Sequence, residues 1–235
     1  MIAIISFGVL SWWQWHRAEE KRNEFNAIAQ RMAAPPVTPP SDATAVDLEW
    51  RRVKLVGEYA QDAQLLVRSR PNNGSNGFWV MSALNHDRGT TWIARGWIAA
   101  TGVSTSDVTP PPVPPGNVTV TGNARLPEPG PLRAGEDLPP GQITAVDVGA
   151  MSTLVADTSQ VSAPVTTPWF VMADNDPTLP QRELPQSTDS RNLSYAGQWL
   201  LFAAIGVGGW WYFLRREALD IREEDSDAKP APVSV

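Results

Sequence analysis

The sequence has no cysteine anywhere in its 235 residues. That excludes disulfides, thiolate zinc sites, cysteine-ligated iron–sulfur clusters, c-type haem attachment and thiol-based copper transfer. Histidine is nearly as scarce: His16 and His86 are the only two, too few for a histidine-rich metal site. Positive charge is in deficit, with 19 Lys and Arg against 25 Asp and Glu for a net charge of −6. No electrostatic case for nucleic acid follows from that balance. Walker and dinucleotide glycine patterns are missing, and Gly74-x-x-Gly77 is too short for one and suits a turn. No Gly-x-Ser-x-Gly elbow accompanies either histidine, so serine hydrolysis lacks its base and nucleophile. His86 falls in a turn expected over Asn85–Gly89 and reads as a solvated loop side chain. On its residues alone the chain reads as a membrane-tethered, non-enzymatic domain.

What the chain does have is tryptophan, 11 of them against 3 Tyr, and six (Trp12, Trp13, Trp15, Trp199, Trp210, Trp211) lie in or beside two apolar ends. Leu193–Leu214 contains no Asp, Glu, Lys, Arg or His. As a helix it would span roughly 33 Å, enough for a hydrocarbon core of about 30 Å. Arg215 and Arg216 follow as a basic cytoplasmic flank. Residues 193–214 are therefore expected to form a transmembrane helix. Residues 1–15 are also uncharged. They lack a basic n-region and an A-x-A cleavage site, and are expected to form a first transmembrane helix whose start is missing from this numbering or unusually short. Both termini would then be cytoplasmic and residues 16–192 extracytoplasmic. Sixteen Arg against three Lys, with abundant Ala and Pro, suggest a GC-rich bacterial genome, and so a plasma membrane; a eukaryotic chain would sit in the mitochondrial inner membrane.

Between the ends, Arg17–Met32 reads as a helical extension with mixed charges, broken by Pro35, Pro36, Pro39 and Pro40. Residues 16–40 are thus an extension and linker, and 41–192 a folded domain. From Trp50 the apolar period becomes two. Strands are expected over Trp50–Tyr59, Gln64–Arg68, Phe78–Leu84, Thr91–Ala99, Val118–Leu126 and Pro168–Ala173, punctuated by Gly, Asn and Pro. Asp147–Ala156 suits one short helix with Asp147 as N-cap. The expected fold is a membrane protein: two transmembrane α-helices flanking a mainly antiparallel β domain, a small barrel or sandwich with one short helix. Residues 215–235 are acidic, then rich in Ala and Pro, and are expected to be a disordered cytoplasmic tail.

Four local patterns carry more. Trp13-Gln14 is followed by Arg17 and Lys21; Glu49-Trp50-Arg51-Arg52-Val53 leads into Gly57-Glu58-Tyr59; Gly74 and Gly77 precede a strand, and Arg95-Gly96-Trp97 follows; Leu193-Ser194-Tyr195 and Trp199 open the last apolar run. In this order, from Leu10 to Leu214, the chain resembles the Surfeit locus protein 1 family of cytochrome c oxidase assembly factors. The resemblance implies two membrane helices around an outside domain. It also implies a role in maturing an aa3-type oxidase, assisting haem a insertion into the catalytic subunit or stabilising that subunit. The implied partners are that subunit, the wider respiratory supercomplex and membrane lipid, with haem a as a transient cofactor. Members commonly have a His where this chain has Asn192; His16 could then serve as an axial haem ligand or read as an interfacial polar side chain, and Arg17 and Lys21 could meet haem propionates, anionic lipid, or Glu20 and Glu24.

Other matched residues have physical readings of their own. Trp13, Gln14, Tyr195, Gln198 and Trp199 mark one level of the two helices, where Gln14 and Gln198 could share a hydrogen bond. Ala204-x-x-x-Gly208 offers a small-residue face for another helix. Gly57, Gly74, Gly77 and Gly96 read as structural positions, Arg95 as part of the same strand motif, and Trp97 as packing the domain's base. The rival reading is a membrane-anchored extracytoplasmic binding or sensor domain that signals through its acidic tail.

Overall fold

Alternating apolar residues make the middle of the chain into strands, and in the computed structural model those strands join into a closed ring. The structure describes residues 2–40, 43–100, 108–134, 138–156, 167–180 and 189–227. Its elements in chain order are α1 (Ile2–Ala33), α2 (Ala45–Leu48), β1 (Arg52–Val67), β2 (Gly77–His86), β3 (Gly89–Ala99), β4 (Asn117–Arg125), β5 (Gln142–Ile143), α3 (Val148–Val155), β6 (Phe170–Ala173) and α4 (Asp189–Asp227). They divide into two compact units, one of Met1–Asn26 with Pro185–Val235, the other of Ala27–Leu184.

In the Ala27–Leu184 unit the strand order is β2-β3-β6-β4-β1-β5, and β1 also pairs with β2. That extra pairing closes β1, β2, β3, β6 and β4 into a barrel, with β5 added beside β1. β1 makes this possible. Its first half pairs with β4 from Arg52 to Glu58, while Gly57–Tyr59 and Gln64–Val67 pair with β2. Between Tyr59 and Gln64 the register slips, a bulge that bends one long strand around the ring. The two strands expected over Trp50–Tyr59 and Gln64–Arg68 are therefore one. Gly57 sits where β1 meets β2, and a Cβ there would overlap the Asn85 carbonyl oxygen.

Two large cores and a smaller cluster of Leu66, Phe78, Val80 and Leu179 fill the unit. Trp92, Met81, Phe170, Ile143 and Met151 belong to one; Ile93, Leu84, Val171, Leu55 and Trp169 belong to the other. Neighbours such as Trp92 and Ile93, or Phe170 and Val171, thus point into different cores, and both faces of β3 and β6 are buried. α3 closes the first core with Val148, Met151 and Val155. Its start is set by Asp147, whose carboxylate accepts from the Ala150 N–H at 3.0 Å. β5 and α2 are too short to leave a periodic signal in the sequence.

The sequence expectation for the two ends is overturned. Helices form there, but among the described residues no helix is long and apolar enough to cross a membrane. Freedom from charge is not apolarity. Leu193–Leu214 holds Gly197, Gly206, Gly208 and Gly209, with Gln198, Ser194 and near-neutral Trp and Tyr rings at both ends. The uncharged start of α1 gives way at His16-Arg17 to a charged stretch within the same helix. Two transmembrane helices flanking the domain, and a multi-pass chain, are therefore not what the structure contains. The sheet is also mixed, since β3 pairs with β6, and β1 with β5, in parallel. Residues 215–227, expected to be disordered, continue α4 to Asp227, because Glu, Ala, Leu and Arg dominate them and favour a helix. Residues 228–235 of that expected tail lie outside the described residues.

Burial predicts where substitution will tell. Met151 is wholly buried whereas Val56 is exposed on β1. Met151→Ala should cost about 2–5 kcal/mol and Val56→Ala within about 1 kcal/mol. Urea midpoints of the full chain in a nonionic detergent, followed by tryptophan fluorescence, check both.

Candidate functional site

The residues singled out in the sequence fall into two groups. Arg95, Gly96 and Trp97 lie on β3. Arg95 is completely buried, and an unpaired charge there would be costly. Its Nε donates to Asp176 at 2.7 Å, and its other nitrogens donate to the Pro111 and Pro112 carbonyls, Thr178 Oγ1 and Gln64 Oε1 at 3.0–3.4 Å. Tyr59 lies under the guanidinium, 5.6 Å from ring centre to Cζ. Burial works to raise the Asp176 carboxyl, but hydrogen bonds from Thr178 and Arg95 outweigh it, and the group is held below its usual range. Burial pushes the Tyr59 hydroxyl well above its ordinary value, with Arg95 opposing and Asp176 adding to the rise. This is a clamp: one side chain of β3 ties down the segment at Pro111–Pro112 and the loop after β6.

The glycines serve close approach. A Cβ at Gly96 would overlap Leu179, and one at Gly77 would overlap the Ile98 carbonyl and the Trp97 ring. Gly74 adopts a φ of +78° in the turn before β2, a conformation costly for other residues. Trp97 is 8% exposed and donates from Nε1 to the Arg70 carbonyl at 2.7 Å. Arg70 in turn stacks 4.4 Å over Trp79 and makes a two-pronged ion pair with Glu128. Sequence reading missed Asp176, Thr178, Arg70 and Glu128, because their partners lie 58 to 83 residues away.

His86 also departs from its reading as a solvated loop residue. It ends β2, and its side chain is 4% exposed. Nδ1 accepts from the Arg88 N–H at 3.3 Å, and Nε2 lies 2.9 Å from Thr91 Oγ1. This network places the proton on Nε2 of a neutral ring. Burial lowers its pKa below 6.5, helped by Arg88 and opposed by Asp87. The Arg88 guanidinium donates to the Pro39 carbonyl and so ties the Pro-rich linker to the β2–β3 turn.

The second group lies in the helices of the other unit. There Ser11 Oγ donates to the Ala196 carbonyl at 3.0 Å, and Ser11, Ala18 and Ala196 are buried. Phe7 stacks on Trp199 at 5.7 Å, and Phe202 packs against both. Among the described residues no hydrogen bond joins Gln14 to Gln198; the serine makes the link instead. Trp13 and Tyr195 are half-exposed. Ala204 and Gly208 are exposed, and nothing approaches within 4 Å of a Cβ built at Gly208.

The residues proposed for haem a do not converge. His16 is exposed and stacks with Trp12 of its own helix at 4.3 Å. Arg17 pairs with Glu20 and Lys21 with Glu24, all exposed. Arg17 and Lys21 share one helix face, and His16 lies about 100° around the helix from Arg17. No walls enclose them, so they do not fit a haem site as they stand. The side chain of Asn192 lies outside the described residues. Among the described residues no group of three or more His, Asp or Glu could hold a metal ion.

Two measurements check these assignments. Arg95→Ala leaves the buried Asp176 carboxylate without its guanidinium partner, and should cost about 3–5 kcal/mol in chemical denaturation. For His86 the folded pKa lies below the unfolded value of 6.5, so below that pH the unfolded chain binds more protons. The stability present above pH 6.5 is therefore lost as pH falls towards the folded value. His86→Gln should flatten this part of the profile, and the His86 imidazole resonances should titrate below pH 6.5.

With the geometry in place, comparison with known proteins adds the lineage. Residues 1–204 match the SURF1 family. The chain is similar to an uncharacterized SURF1-like protein of Mycobacterium bovis and to two from strains of Mycobacterium tuberculosis, each 29% identical over 238 residues. Each alignment covers 96% of this chain and 84% of the relative. The match takes in all of α1, the whole barrel with its Arg95 clamp, and the first part of α4. The chain belongs to the SURF1 family.

Proposed function

We propose that this protein is a membrane-associated assembly factor for an aa3-type cytochrome c oxidase that works by binding rather than catalysis. Its task is to hold the nascent catalytic subunit while haem a enters it, and it stays with the respiratory complex afterwards. The observation that carries this reading is the apolar surface of the helical unit. Trp12, Trp13 and Trp15 on α1 are more than half exposed, as are Leu200, Leu201 and Ile205 on α4. So many exposed large apolar side chains on two helices call for cover by lipid or by another protein. Exposed Ala204 and Gly208 let a partner helix approach α4 closely. Membership of the SURF1 family, known generally for oxidase assembly, supports the choice of partner. The acceptor's own groups bind haem a in this reading, since His16, Arg17 and Lys21 do not form a site for it.

Deleting the gene should lower the haem a absorbance of membranes, and the wild-type chain should restore it. Restoration by Ala204→Phe with Gly208→Phe should fail, because both bulky rings block the α4 face, while the variant remains folded by its barrel. Co-purification from the wild type should bring down oxidase subunits. Normal haem a absorbance in the deletion strain would refute the proposal.

A further inference from the structure

The barrel carries a cavity of about 460 Å³ between the β1 bulge, β5 and α3, and nothing in the proposed assembly role uses it. That volume lies in the range of sites for small organic molecules, well beyond what one trapped water fills. Leu65, Ile143 and Val155 form its buried floor, and Leu138 and Leu154 its rim. Leu154 is 44% exposed although it lies on the helix that closes the first core.

The polar groups are few and sorted by position. Gln142 accepts at Oε1 from Arg68 at 2.8 Å, and Gln64 accepts at Oε1 from Arg95 at 3.4 Å. Both guanidinium groups therefore reach this region through amides, and neither lines the cavity. Among the described residues the charge that lines it is the Asp62 carboxylate, exposed on the segment where β1 slips register against β2. Among the described residues no cation pairs with Asp62. Bulges re-aim side chains in this way beside binding sites. An anion entering here would meet a carboxylate with no cation to balance it. A positively charged head at the mouth would meet its complement.

We propose that this cavity binds a cationic amphiphile: an elongated apolar molecule with a single ammonium-type head. The body lies on Leu65, Ile143 and Val155, under Leu154, and the head pairs with Asp62. The proposal stands apart from the assembly role, because it concerns a surface of the barrel unit and a small molecule.

The test uses the full chain in a nonionic detergent, with Ile, Leu and Val methyl groups labelled for NMR. Three probes share one body: 4-phenylbutylammonium, 4-phenylbutan-1-ol and 4-phenylbutyrate. The ammonium probe should shift the methyl signals of Leu65, Ile143, Leu154 and Val155 in a saturable way. It should bind up to about fivefold more tightly than the alcohol, as one exposed ion pair allows, and the butyrate should bind most weakly. Asp62→Asn should erase the difference between ammonium and alcohol. Leu154→Gln should weaken all three probes. Both residues are exposed, so both variants keep the fold, which the unshifted Trp92 indole signal confirms. Shifts confined to α1 and α4, or butyrate binding as well as ammonium, would overturn the proposal.

Discussion

The structure depends on β1 being shared. One strand must hydrogen-bond to β4 on one side and β2 on the other, and only then does an open sheet become a ring. Two local conditions make that feasible. Gly57 removes the side chain where the Asn85 carbonyl comes closest, and the slip after Tyr59 turns the strand so that its second half can follow β2. Closure gives each of the five ring strands a neighbour on both sides, which shortens the unpaired edge that otherwise invites a sheet to aggregate. β5 adds a two-residue cap beside the end of β1. Outside the ring, α3 is then packed against walls whose positions are already determined.

Much of this was visible in the order of residues. The alternation around Val53 and Leu55 announces a strand with one buried face, and Asp147 announces α3 through an ordinary capping preference. Other elements hid for physical reasons. β3 and β6 bury both faces, so their pattern has no period to detect, only an apolar run. The bulge within β1 looked like a gap between strands because its residues leave the ladder. α2 and β5 are too short to carry a pattern.

The errors at the ends and at His86 come from one cause, reading a local property as if it were an environment. Leu193–Leu214 lacks charge, yet its glycines, Gln198 and terminal aromatic rings lower its apolarity. His86 stands beside Asp87 and Arg88, as a loop histidine would, but Thr91 and the Arg88 backbone enclose its ring. Of the candidate site, the strand motif around Arg95 could be named from sequence, whereas its partners could not, because Asp176 and Thr178 are ordinary loop residues until the chain folds back. The haem candidates are spread for a geometric reason: His16 lies on a different face of α1 from Arg17 and Lys21.

The clamp around Arg95 also divides its contributors into two kinds of evolutionary tenant. Pro111 and Pro112 lend it only main-chain carbonyl oxygens, and every amino acid owns one of those. Their identities can drift as long as the backbone keeps its path. Arg95 lends a planar fork that reaches a carboxylate, a hydroxyl, an amide and two carbonyls at once, and a lysine's single nitrogen cannot replace it. Positions that tolerate change and one that does not therefore lie within one hydrogen bond of each other.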